Sequence, residues 1–463
     1  MIPPRLGEAS LRDRTRVALA DPVLRPRTAR AVDRFASHRV ESLARLDDPG
    51  ALRDAARRVR ASVLSDLPAL LERFADRLLA HGAHVHWAHD ATEANAAVTG
   101  IARGGRVVKS KSMVSEEIGL GPALEHAGCD VVETDLGEWI VQLAGEPPSH
   151  IIAPALHHDR DTIGELFDRE ADGGGVDREP TALAALARER LRERFLAADV
   201  GITGANFGVA EAGAVVLVTN EGNGRLVTSL PPVHVVVMGM ERLTADWQQV
   251  DLLLGMLTRA ATGQSLTSYV SVTGGPRAID DDAGPAELHV VIVDNGRSAM
   301  LGTELHDMLA CIRCGACLNV CPVFRQIGGH AYGSTYPGPM GSVLTPTLDA
   351  AVPGAGEVAD ASTLCGACNE VCPVGIPLTD LLLVQRSAAA VDAPWTSRAA
   401  WRAWSAAWSS PVRYRASITA ATTARDASGL AALVPPGDRW APGRAVPRPA
   451  ARSFRARWKA GEI

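Results

Sequence analysis

Seven of the eight cysteines in this chain fall between Cys311 and Cys372, and their spacing is that of metal ligands. The first run, CIRCGACLNVCP, separates Cys311, Cys314, Cys317 and Cys321 by two, two and three residues and ends on Pro322. Two-residue gaps wrap a backbone round one face of an iron–sulfur cube so that three thiolates reach three irons. The fourth cysteine, on the outgoing turn, serves the neighbouring cube. Gly315 relieves crowding where backbone passes inorganic sulfide, and the proline ends the wrap. The second run, STLCGACNEVCP, sets Cys365, Cys368 and Cys372 before Pro373. Ser362 stands where the first run has its first cysteine.

Crossed ligation assigns one cluster to Cys311, Cys314, Cys317 and Cys372, a complete set of four thiolates. The other takes Cys321, Cys365 and Cys368. Its fourth corner is left to an oxygen, from Ser362 or water, or is empty in a three-iron cluster; a four-iron cluster with one non-cysteine corner is favoured. Zinc also binds Cys-x2-Cys pairs. Seven cysteines ending in two Cys-Pro steps do not divide into tetrahedral sets of four, so iron–sulfur is the expected chemistry. Fully thiolate-ligated clusters pass single electrons, whereas an open corner would admit Lewis-acid chemistry; the relay reading is preferred. Cys129, apart from the rest in HAGCDVVE, is expected to be a small buried hydrophobe.

The remaining sequence must position these clusters and bring something to them. A chain of 463 residues with 46% hydrophobic content can bury a large core in two or three domains. Its net charge of −6 gives no field to steer it onto nucleic acid. The N-terminus lacks a secretory apolar run, and no stretch has the ~20 apolar residues of a membrane span. A cytoplasmic protein whose membrane contact is at most peripheral is expected.

Residues 1–60 read as a helical N-terminal segment, and helical periodicity continues to Gly82, with Ser65 and Asp66 as caps. Residues 61–300 read as an α/β domain with a mostly parallel sheet. Strand-like runs at 85–88, 106–110, 131–134, 150–154, 214–219, 234–239 and 288–294 alternate there with helical stretches. Residues 301–390 form the cysteine domain. Residues 391–463 hold a tryptophan-bearing helix and a Pro/Arg-rich tail. Trp401, Trp404 and Trp408 share one helical stripe, with Trp395 just before it. Core packing is the first expectation for them, partner docking the second and membrane-surface contact the third.

Three segments of the α/β domain carry more polar residues than a core needs. In VVKSKSMVSEEIGL (107–120), Lys109, Lys111 and Ser115 follow a strand and lead into a helix, where α/β folds place ligands; Ser115 serving simply as a helix cap is the plain alternative. In 201–237, Thr203, Gly204, Asn206, Glu211, Gly213, Asn220, Glu221, Asn223 and Arg225 sit on turns flanking the strand AVVLV, where tight backbone approach to something polar is the functional reading and turn-building the plain one. In GEPPSHIIAPALHHDR (145–160), His150, His157 and His158 have neither a carboxylate nor a further histidine at ligand spacing, so no metal site is expected. No dinucleotide, Walker or serine-elbow motif is present.

With these segments on the page, the chain resembles the lactate utilization protein B family from about residue 60 to its end. VVKSKSMVSEEI, GEPPSHIIAPA and GITGANFGVAEAGAVVLVTNEGNGRLVTSLP resemble the LUD domain, similar in fold to the NagB/RpiA/CoA-transferase group. CIRCGACLNVCPVF and LCGACNEVCPVGIP resemble the family's ferredoxin-type domain, which also lacks an eighth cysteine. PRPAARSFRARW resembles its C-terminal region. The resemblance implies an iron–sulfur subunit for oxidising L-lactate to pyruvate in the cytoplasm. Its implied partners are an iron–sulfur protein rich in CCG motifs and a second LUD-domain protein. It implies the seven cysteines as cluster ligands and no catalytic residue in the LUD domain.

Overall fold

The computed structural model describes residues 5–171, 175–278, 280–281, 283–391, 393–423 and 448–462. They fall into two compact units, 1–387 and 388–463.

Runs of β-branched residues that are buried on both faces build the central sheet of the first unit. Its strands are β1 (His84–Ala88), β2 (Arg106–Lys109), β3 (Asp130–Glu133), β4 (Val200–Thr203), β7 (Val233–Gly239) and β10 (Glu287–Val293), and the order is β1-β10-β7-β4-β2-β3. Every pairing is parallel, as in Val290 beside Val236 and Val107 beside Val200. Parallel strands need crossover connections and are covered on both faces, so β7 and β10 read as unbroken apolar runs rather than alternating ones. A second sheet pairs β5 (Phe207–Val209), β6 (Ala214–Thr219), β8 (Leu243–Thr244) and β9 (Tyr269–Thr273) in the order β8-β5-β6-β9.

Four helices precede the sheet: α1 (Leu11–Ala20), α2 (Leu24–Leu43), α3 (Pro49–Ser65) and α4 (Leu67–Ala80). Asp48 caps α3 through the Ala51 amide, and Gly82, at φ +85°, lets the chain leave α4 for β1. One continuous core joins Val63, Leu67 and Phe74 of these helices to Phe207 and Leu243 of the second sheet and to Leu309, Leu318 and Phe324 of the cysteine region. The cluster-binding loops are therefore folded against both the N-terminal helices and the α/β domain.

Three local expectations change. Residues 150–154 form a loop, not a strand, because Pro147, Pro148 and Pro154 withhold ladder donors. Ser112, not Ser115, caps the short helix Met113–Glu117, and the Ser115 amide donates to its hydroxyl. In the second unit, helix Trp395–Trp408 does not bury its indoles: Trp395, Trp401, Trp404 and Trp408 are 74%, 65%, 53% and 49% exposed. They stack on one another instead, with Trp404 and Trp408 ring centres 5.5 Å apart. Among the described residues of this unit the indoles stay open, with Tyr414 of the following helix packed edge-on against Trp408. Residues 435–447 of the Pro/Arg-rich tail lie outside the described residues.

A buried ion network holds the carboxyl edge of the main sheet to the cysteine region. Arg297 donates through Nε to Glu241 at 2.7 Å and through both terminal nitrogens to Glu117 at 2.8 and 2.7 Å. Tyr336, from the loop between the two cysteine runs, donates its hydroxyl to Glu117 at 2.6 Å. Burial alone would raise both carboxyls. The Arg297 guanidinium overrides it, holding Glu241 at about 2 and Glu117 below its usual range. A carboxyl that binds its proton less tightly when folded stabilises fully above its ordinary value near 4.5 and loses that contribution as pH falls through about 2. Acid unfolding followed by circular dichroism should show this loss, and Glu241→Gln should flatten the acid limb. Arg297→Met should cost about 3–5 kcal/mol in denaturant unfolding at pH 7, because it strands two buried carboxylates.

Candidate functional site

The two cysteine runs adopt matching backbones. Gly315 and Gly366 have φ of +76° and +85°, and Arg313 and Leu364, each preceding the second cysteine position, have +58° and +54°. The same left-handed turn therefore shapes both runs. In the first run the Arg313 amide donates to Cys311 Sγ at 3.4 Å, and in the second the Leu364 amide donates to Ser362 Oγ at 3.1 Å. Ser362 therefore sets an oxygen where Cys311 sets a sulfur.

All seven thiols are free; five are buried, Cys311 is partly exposed and Cys365 exposed. Burial pushes the Cys317 thiol far up, and the neighbouring charges of Cys311, Cys314 and Cys372 push it further. Burial also raises Cys368, to about 11, with Cys321 and Cys365 as its cysteine neighbours. Electrostatically, Cys311, Cys314, Cys317 and Cys372 lie together, and Cys321, Cys365 and Cys368 lie together. Thiols so placed keep their protons unless cations hold them as thiolates, and iron does this outright. Amide donors from Arg313 and Ile376 to the sulfurs of Cys311 and Cys372 suit anionic sulfur. The residues present thus fit two iron–sulfur clusters.

Arginines from distant parts of the chain frame the first thiol group. Arg53 on α3 donates to the carbonyls of Cys372 and Asn369 at 2.8 and 2.7 Å. Arg242, after β7, donates to the Cys311 carbonyl at 2.9 Å. Arg313 stacks over Tyr336 at 4.4 Å. The loop 145–158 closes the other side. His150 accepts the Ile152 and Ala153 amides at Nδ1, so its Nε2–H donates to Asn319 of the first run at 3.1 Å. Gly329 passes so close that a Cβ there would lie 1.8 Å from the Ser149 carbonyl.

A cavity of about 770 Å³ opens beside this assembly, lined among others by Lys111, Asn206, Asn220, Asn223, Arg242 and Arg313. The connection from β2 runs outward to β3, whereas that from β4 runs the other way to β7. The loops leaving β2 and β4 therefore part at a topological switch point, the crevice where open α/β sheets bind ligands. Among the described residues no carboxylate oxygen comes within 4 Å of the Lys111 ammonium, and burial pushes its pKa down. Asn223 Oδ1 is buried there without a hydrogen-bond partner.

Of the α/β residues singled out in the sequence, Lys111, Gly204, Asn206, Asn220, Glu221 and Asn223 line this cavity. Lys109 does not line it; it is fully buried and paired to Glu133 and Glu116 at 2.6 and 2.9 Å. Thr203 is buried against His234 at 2.9 Å. Glu211 accepts the Trp247 amide at the start of helix Trp247–Thr262, and Arg225 is exposed beside β9. The sequence reading passed over Arg242 and Arg313; the latter lay in plain view between two cysteines. Glu146 and a third histidine, His150, stand in the 145–160 segment but not at ligand spacing; folding brings Glu146 to His157 and adds His330 from the loop between the cysteine runs.

Together the paired cysteine runs and the parallel α/β domain define a two-cluster iron–sulfur protein. A 4Fe-4S dicluster domain matches residues 307–376, a LUD domain 71–293, and the C-terminal domain of lactate utilisation protein B 387–463. The lactate utilization protein B of Exiguobacterium sp. is 44% identical over 458 residues, 97% of each chain. That of Oceanobacillus iheyensis is 44% identical over 466 residues, covering 98% of this chain and 97% of the relative. That of Macrococcus caseolyticus is 49% identical over 386 residues, 82% and 80% of the two. The chain belongs to the lactate utilization protein B family. A crystal structure of a DUF162 family protein from Deinococcus radiodurans aligns with 49% of this chain and 98% of its own, at 15% identity and a TM-score of 0.29. No helix among the described residues is long and apolar enough to cross a membrane.

Proposed function

We propose that this protein is the cytoplasmic electron-transfer subunit of a complex that oxidises L-lactate to pyruvate. It would act with a CCG-motif iron–sulfur protein and a second LUD-domain protein. The observation that carries the reading is the division of the seven thiols into two neighbouring groups within a lactate-utilization protein. In this reading Cys311, Cys314, Cys317 and Cys372 hold one four-iron cluster. Cys321, Cys365 and Cys368 hold the second, with Ser362 or water at its last corner. Bound clusters supply one-electron steps. The chain's own residues fix the sulfurs, exclude water and surround the first group with arginines. The isolated chain should not turn over lactate, but its clusters should be reduced when partners and lactate are present. Full-rate oxidation by the chain alone would remove the subunit reading.

A second reading, that the LUD domain itself binds a small carboxylate, is favoured by the cavity with Lys111, Arg242 and Arg313 on its walls. A charge-assisted bond from Lys111 is worth about 1.5–3 kcal/mol. Lys111→Ala should therefore weaken L-lactate or pyruvate binding roughly 10- to 100-fold in calorimetry. Equal affinity in the variant would count against a carboxylate at this place.

A further inference from the structure

Three candidate ligands, Glu146, His157 and His330, converge where the 145–158 loop meets the loop between the cysteine runs, and His158 reaches the same carboxylate. His157 Nε2 and His158 Nε2 lie 2.6 and 3.0 Å from a single oxygen, Glu146 Oε2. Ligand atoms of Glu146, His157 and His330 all lie within 4.8 Å of one another. The His157 ring centre is 4.0 Å from that of His158 and 4.6 Å from that of His330.

The hydrogen-bond partner of His330 fixes where its proton sits. The Pro147 carbonyl can only accept, so His330 Nε2 carries the hydrogen of their 2.8 Å bond and Nδ1 presents a lone pair. His157 lies between the Ser149 hydroxyl at Nδ1, 2.8 Å away, and the Glu146 carboxylate at Nε2, 2.6 Å away. Either a proton or a cation must bridge the contact with the carboxylate, and when Ser149 accepts from Nδ1 the Nε2 lone pair is the one presented to a cation. Burial disfavours the proton: it pushes His157 down and His330 to about 4. An imidazole whose other nitrogen donates to a carbonyl or hydroxyl is the arrangement that orients metal-binding histidines.

We propose that Glu146, His157 and His330 bind a divalent transition-metal ion, zinc or ferrous iron, at the junction of the LUD and cluster domains, in a donor set distinct from the two cysteine groups. Two imidazole nitrogens and one carboxylate oxygen, with water completing the shell, suit either ion, and the set contains no sulfur. Tetrahedral bonds of about 2.0–2.1 Å separate donors by about 3.3 Å, so binding opens the Glu146–His157 contact by less than about 1 Å. The ion pins the 145–158 loop to the loop carrying His330. This site stands independently of the proposed electron-transfer role.

The test uses the full-length, cluster-loaded protein, washed with chelator under anaerobic conditions, offered zinc or ferrous ion and desalted. About one ion per chain should remain beyond the cluster iron, by mass spectrometry. The zinc-edge X-ray absorption should show only nitrogen and oxygen neighbours near 2.0 Å. Glu146→Gln and His330→Asn should lower the retained ion at least tenfold with cluster EPR unchanged. His289→Asn, which alters the more open group of His84, Glu287 and His289, should not. Retention of neither ion, equal retention in the Glu146 and His330 variants, or a sulfur shell around zinc would overturn the site. The wild-type spectrum decides even if a variant loses its clusters.

Discussion

Cys372→Ala should extinguish the same EPR signal as Cys314→Ala, although the two residues belong to different runs. Cys321→Ala should instead share its lost signal with Cys368→Ala. The reason is spatial: the sulfur of Cys372 lies with those of the first run, and that of Cys321 with those of the second. Each variant should retain about half the iron of the parent, since each cluster holds about four. Anaerobic iron and sulfide counts with EPR check this. If Cys372→Ala paired with Cys368→Ala, each run would hold its own cluster and the crossed assignment would fail. Ser362→Cys should leave the first signal unchanged and alter only the second.

A structural loss as large as that of Arg297→Met is expected from Arg60→Met. Arg60, on α3, is 1% exposed and donates to four backbone carbonyls. These are Ala310 and Leu309, just ahead of the first run, and Leu243 and Glu241 of the α/β domain, at 2.6–3.2 Å. Burial lowers its pKa to about 10, so it remains charged. Methionine fills similar volume but leaves four buried acceptors without donors, each costing about 1–3 kcal/mol. Relief by shifting backbone or entering water would return part of that. A net loss of about 3–5 kcal/mol in unfolding, with lowered iron content, is the expected outcome. Unchanged stability and full cluster loading would mean that another donor replaces Arg60.

The cluster chemistry and its incomplete second set were legible in the sequence because the ligand spacings are short and covalent connection fixes them. The strands β2, β7 and β10 were legible for a similar reason, since buried parallel strands announce themselves as apolar runs. The apolar run at 150–154 misled because local composition could not register that prolines on either side deny it a ladder. The tryptophan stripe misled because helical periodicity reveals a face and not what covers it.

What tertiary structure alone decided are the contacts between residues hundreds of positions apart. Arg53 meets Cys372 across 319 residues and Arg60 meets Ala310 across 250, so a segment that looked like a plain helical lead-in braces the cluster loops. His330 reaches Pro147 across 183 residues and completes a donor set that neither segment holds alone. Spacing along a chain encodes only what one turn of backbone can bring together. Which distant groups share a buried volume is set by how the helices, sheets and loops pack, and that appears only when the core closes.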